Sequence, residues 1–134
     1  MITGGCLCGA LRYRAEGEPL LQGLCHCRNC QRISGAGHVG FVCFAEDAVM
    51  VEGETRSYAS TGGSGTTATR YSCPTCHSGV FGRADVMPGQ INLYAGSLDD
   101  TSVFKPQVAI FIRSRPAWDD SSRGLVCYET VPGG

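Results

Sequence analysis

The chain has 134 residues, the size of one domain, and its 11 basic side chains nearly balance 12 acidic ones, which excludes nucleic-acid binding through a general basic field. No apolar stretch approaches bilayer length, and Met1-Ile2-Thr3-Gly4-Gly5-Cys6 lacks the basic and apolar regions of a secretory leader. The expected setting is the cytoplasm, where thiols stay reduced.

In chain order the residues predict short strands. Ala10 to Ala15 alternates; Val39 to Phe44 and Ala48 to Val51 are short apolar runs. Arg70-Tyr71-Ser72 leads into a cysteine pair, and Gly79 to Phe81, Ile91 to Ala95 and Val108 to Ile112 are rich in β-branched or aromatic residues. Turns are expected at Glu18-Pro19, Glu52-Gly53, Pro88-Gly89 and Leu98-Asp99-Asp100. One short helix is expected over Cys27 to Ser34, with Gly35 ending it. Thr61 to Thr67 reads as a mobile Gly/Ser/Thr loop and residues 121–134 as a loose tail. No boundary splits the chain, so residues 1–134 read as a single β-dominated domain.

Nine cysteines dominate the chemistry. Seven fall into three groups: Cys6 and Cys8; Cys25, Cys27 and Cys30; Cys73 and Cys76. Cysteines two apart on an extended segment point to one side and grip one ion together. A Cys-x-x-Cys turn such as Cys73-Pro74-Thr75-Cys76 does the same. A disulfide framework would need an oxidising compartment and leave an odd thiol, and the spacing is unlike ferredoxin iron–sulfur runs. Zinc is therefore the expected metal.

Structural zinc is four-coordinate, whereas catalytic zinc keeps a position open. Two closed sites need more ligands than the seven clustered cysteines supply, so the count points to one closed site and one open, labile site. Spacing leaves the division open. Cys6 and Cys8 could join two of the triplet, and Cys43, His26, His38 or His77 could be a fourth ligand. Zinc held by three thiolates is a poor generator of hydroxide but a good trap for a soft thiol, and the captured sulfur is a nucleophile at neutral pH. The expected partners are a small-molecule thiol, foremost glutathione, and an aldehyde; no nucleic acid or membrane partner is expected.

Gly4-Gly5-Cys6-Leu7-Cys8-Gly9-Ala10-Leu11-Arg12-Tyr13, Cys25-His26-Cys27-Arg28-Asn29-Cys30-Gln31-Arg32-Ile33-Ser34-Gly35-Ala36, Cys73-Pro74-Thr75-Cys76, Gly96-Ser97-Leu98-Asp99-Asp100 and Ser114-Arg115-Pro116-Ala117-Trp118 occur in that order. This series resembles the glutathione-dependent formaldehyde-activating enzyme (GFA, centromere protein V) family. The resemblance implies small twisted antiparallel sheets around a structural zinc held by Cys6, Cys8, Cys73 and Cys76. It implies a catalytic zinc on Cys25, Cys27 and Cys30, and the joining of formaldehyde to glutathione as S-hydroxymethylglutathione, a carbon–sulfur lyase reaction in reverse. The sequence departs from the family pattern at His77-Ser78-Gly79, where glycine usually follows the last cysteine, and lacks a histidine that many members carry near Val108-Ala109-Ile110.

Arg28 and Arg32, beside the triplet, are candidate contacts for glutathione carboxylates, with Arg113 and Arg115 weaker ones. His26 is a candidate for tuning the triplet, and His77 reads as a turn residue. Trp118 reads as core or edge packing, and Cys43 and Cys127 as buried, inert thiols. A zinc-stapled module without catalysis is the alternative to an enzyme.

Overall fold

The computed structural model describes residues 1–133. Eleven strands and one helix follow in order. They are β1 (Ile2–Gly5), β2 (Arg12–Ala15), β3 (Leu21–Cys25), α1 (Arg28–Ser34), β4 (Val39–Ala45), β5 (Val49–Glu52), β6 (Arg56–Thr61), β7 (Thr67–Ser72), β8 (Gly79–Ala84), β9 (Gln90–Tyr94), β10 (Val108–Ile110) and β11 (Val126–Cys127). They form a three-stranded sheet β1-β2-β5 and an eight-stranded sheet β11-β10-β3-β4-β9-β8-β7-β6. The fold is mainly β, as expected. Most pairs are antiparallel, but β10 runs parallel to both β3 and β11.

Alternation assigns two jobs to the large sheet. In β4 and β9, Val42, Phe44, Ile91 and Leu93 face one way and join Leu11 and Tyr13 in a core. Val39, Phe41, Asn92 and Tyr94 face the other way and line a cleft. The small sheet is clamped over the core by the Gly96-to-Asp100 segment. Leu98 is buried and bridges to Gly4, the Ser97 hydroxyl is 2.7 Å from that of Tyr13, and Asp99 accepts from both Arg12 and Thr3.

Helix α1 is short because both its ends are capped, one by a side chain and one by backbone. Cys27 is the N-cap, its Sγ accepting from the Cys30 N–H at 3.3 Å. Gly35 closes the helix at φ 72°, a left-handed conformation that glycine adopts without strain.

The chain beyond residue 120 is not loose up to Gly133; Gly134 lies outside the described residues. It supplies β11, and the N–H groups of Phe111 and Ile112 donate to the carbonyls of Thr130 and Tyr128. Backbone donors that β10 and its exit would otherwise leave unpaired find partners there. Trp118 is 74% exposed rather than packed, because the turn closed by Asp119 N–H onto Pro116 O sends Asp119 inward and Trp118 outward. Cys127, on the outermost strand, is also exposed, whereas Cys43 is fully buried, beside Gln90 Oε1.

Candidate metal centres

The β1–β2 turn carries Cys6 and Cys8, and the β7–β8 turn carries Cys73 and Cys76. The two turns belong to different sheets and meet face to face. Their four Sγ atoms lie within 4.8 Å of one another, with Cys6–Cys8 at 3.6 Å and Cys8–Cys73 at 3.7 Å. Sulfurs around tetrahedral zinc, bonded at about 2.3 Å, stand about 3.8 Å apart. The donor set therefore fits a closed zinc site.

Backbone N–H groups point at these sulfurs: Leu11 N–H at Cys6 Sγ (3.3 Å) and Thr75 N–H at Cys73 Sγ (3.4 Å). The Ser78 hydroxyl accepts from Leu7 N–H and lies 3.1 Å from Cys76 Sγ, tying the two turns together. That hydroxyl and the Ser78 N–H lower the Cys76 thiol to about 5. His77 adopts φ 65°, the left-handed region where the pattern noted above carries glycine.

Cys25 ends β3, Cys27 caps α1 and Cys30 lies in its first turn. Their three Sγ atoms also fall within 4.8 Å of one another, and no fourth histidine, cysteine or carboxylate joins the group among the described residues. Cys6 and Cys8 are thus grouped with the β7–β8 turn, not with the triplet. Contacts from Cys25 and Cys30, with the Cys30 N–H, hold Cys27 well below the usual thiol range, while its neighbours hold Cys25 well above it. Within this cluster the thiolate is favoured at Cys27 and disfavoured at Cys25, and a bound cation would favour the loss of further protons.

The candidate fourth ligands point elsewhere. Fully buried His26 turns away from the triplet, with Nδ1 at 3.0 Å from Gly37 O and 3.6 Å from Asp119 Oδ2. His38 Nδ1 lies 2.7 Å from the same carboxylate. Burial lowers the His26 pKa, favouring the neutral ring, and its Nδ1–H donates to Gly37 O. Burial raises Asp119, but hydrogen bonds from His38 and Ser121 outweigh it and hold the carboxyl below its usual range. Gln31 Nε2 donates to His26 O and Ser114 O. The triplet loop is thus locked to the Ser114-to-Asp119 segment.

The triplet opens onto a cleft of about 130 Å³ whose walls are mostly apolar, among them Phe41, Ile110, Phe111 and Val131. Phe111 has φ 53°, a strained conformation for a bulky side chain, of the kind that concentrates at functional sites. The segment expected to be a mobile loop is the closed tip of the β6–β7 hairpin. Gly62 N–H donates to Thr66 O, Asn29 Nδ2 reaches Thr61 O at 2.9 Å, and Gly63 sits against the Phe111 ring. Arg28 instead donates to Gln31 Oε1, and Arg32 is exposed in the last turn of α1; neither lines the cleft. Arg70, on β7, does line it, with Nη2 at 3.8 Å from Cys30 Sγ. Asn92 Oδ1, in the same lining, is buried without a hydrogen-bond partner. Sequence reasoning missed Arg70, Asn92 and Asp119, since nothing in their local sequence distinguishes them from solvated polar residues.

Known proteins resemble this chain over most of its length. The model of a family described as "Glutathione-dependent formaldehyde-activating enzyme" matches residues 1–114. A protein of Halomonas elongata, named provisionally as a glutathione-dependent formaldehyde-activating enzyme, is 25% identical over 124 residues, covering 88% of this chain and 79% of its own. A crystal structure of a Rhodobacter sphaeroides protein shares the fold, with a TM-score of 0.60, 18% identity and coverage of 93% of this chain and 97% of that one.

Proposed function

Because the chain belongs to the glutathione-dependent formaldehyde-activating enzyme family, we propose that it is a zinc enzyme that forms or cleaves the carbon–sulfur bond of a thiol–aldehyde adduct, glutathione and formaldehyde giving S-hydroxymethylglutathione. Cys6, Cys8, Cys73 and Cys76 hold a structural ion, and Cys25, Cys27 and Cys30 hold a second, exchangeable one. The observation that carries this reading is the triplet: three sulfurs converge at the wall of a cleft, with no fourth ligand among the described residues. A zinc ion there would supply one soft open position that favours a thiol over water.

The chain's own groups do the rest. The Cys30 N–H fixes the Cys27 sulfur, so the triplet is preorganised at the helix start. Ile110, Phe111 and Val131 keep water from the adduct carbon. In the forward direction the thiol sulfur bonds to the aldehyde carbon, the thiol proton is released and the aldehyde oxygen takes up a proton. Cleavage reverses each transfer. No helix of the described residues is long and apolar enough to cross a membrane, and a cytoplasmic setting would keep the cysteines reduced.

Cobalt(II) loading of both sites, followed by glutathione titration read in the visible spectrum, tests the assignment. Saturable band shifts that vanish in Cys27→Ser are expected. Bands that stay still at millimolar glutathione would favour the zinc-stapled module over the enzyme.

A further inference from the structure

The formaldehyde adduct leaves one feature of the cleft unused. Its hydroxymethyl group is neutral, and the carboxylates of glutathione lie several bonds from the sulfur. Yet half-buried Arg70 places a guanidinium beside the triplet. Its neighbours are Cys30 Sγ at 3.8 Å and Ser60 Oγ at 3.5 Å, both weak acceptors at those distances. No carboxylate pairs with it among the described residues; Arg14, Arg28, Arg32, Arg56 and Arg113 lack one too, but of these six only Arg70 lines the cleft. A guanidinium beside the triplet with no carboxylate partner, on a wall that is mostly apolar, is placed to select an anionic substituent.

Resting on the thiol–aldehyde reading above, we propose that Arg70 is a specificity residue, and that the adduct this cleft takes carries a carboxylate on the carbon bonded to sulfur: the hemithioacetal of a thiol with an aldehydic 2-oxo acid. The argument is positional. A sulfur captured by Cys25, Cys27 and Cys30 is a neighbour of Cys30 Sγ, so a carboxylate on the carbon bonded to that sulfur, two bonds away, falls within reach of Nη2 of Arg70. Guanidinium and carboxylate match as planar two-pronged partners. Phe41, Ile110, Phe111 and Val131 offer that carboxylate no donor, and the guanidinium of Arg83, also in the lining, is paired with Glu46. In cleavage the carbon–sulfur bond breaks with its electron pair left on sulfur. The hydroxyl proton leaves to water as the carbonyl forms. The products are the thiolate and the 2-oxo acid.

Two size-matched thiols provide the test in the cobalt(II)-loaded protein: mercaptoacetate, in which the carboxylate sits on the sulfur-bearing carbon, and its neutral amide, mercaptoacetamide. The wild-type protein should bind the acid at least about tenfold more tightly, the scale of a charge-assisted hydrogen bond. Arg70→Met should reverse the preference, because the thiolate cluster repels a second negative charge, and Arg70→Lys should restore part of it. Equal affinities in the wild type, a comparison that needs no variant, would overturn the proposal. So would an Arg70→Met variant that weakens both thiols equally, which would assign Arg70 to neutralising the cysteine cluster. Cobalt bands that respond to glutathione but do not discriminate acid from amide sink this inference alone; bands that respond to no thiol sink the open-site reading with it.

Discussion

Tyr13 shows how far a single buried group sets the working range. Burial raises its phenol from the ordinary 10.0 to about 12, despite the hydrogen bond with Ser97 that pulls the other way. An acid with a raised folded-state pKa is favoured in its neutral form. Its stabilisation is therefore complete below the unfolded value of 10.0 and is lost as the pH rises toward about 12. Urea unfolding either side of that window should show a loss in the wild type that is absent from Tyr13→Phe. At this scale the three cysteine clusters were legible because their spacing has few uses, but their division into four and three rested on the family resemblance; the structure brings the seven together in two such groups. Arg70 and Asp119 were not. An arginine in a strand and an aspartate in a turn are solvated by default, and only the β6–β7–β8 pairing and the inward turn after Pro116 bring them to the triplet's surroundings.

Strands with a clear apolar pattern were readable as elements, and polar or interrupted ones were not. β6 is exposed along almost its whole length, so Arg56–Thr61 has no alternation to detect. β3 contains Gly23, which reads as a breaker, yet the position admits nothing larger, since a Cβ there would meet Phe41 and Val108 at 2.8 Å. The β6–β7 tip was legible as a loop by composition, but its docking depends on Asn29 and Phe111, distant in sequence. A Cβ on Gly63 would stand 2.5 Å from the Phe111 ring. Gly63→Val should therefore lift the tip or push the ring into the cleft. Overpacking of this kind should weaken glutathione binding about tenfold, with the thermal midpoint little changed because the tip is exposed. A cobalt titration alongside a melting curve checks both halves.

The whole molecule depends unequally on its two cysteine groups. The four-cysteine group joins the small sheet to the large one, whereas the triplet sits between α1 and β3 within a region already paired to β4 and β10. Cys8→Ser should lower the thermal midpoint by on the order of 10 °C or more, since metal binding at a structural site is folding free energy. Cys27→Ser should leave the midpoint within a few degrees while abolishing turnover; equal losses from the two variants would remove the distinction between a stapling and a working site. The closed site also imposes an order of events in time. Cys8 and Cys73 are separated by 65 positions in the chain, and a ribosome adding about 5–20 residues per second needs roughly 3–13 s to cross that gap. For that interval the first two thiols exist without their partners from the β7–β8 turn. With the proposed zinc at this site, maturation would become a race between metal capture and oxidation of Cys6 and Cys8, set by the zinc and the reductant available while the chain is still being made.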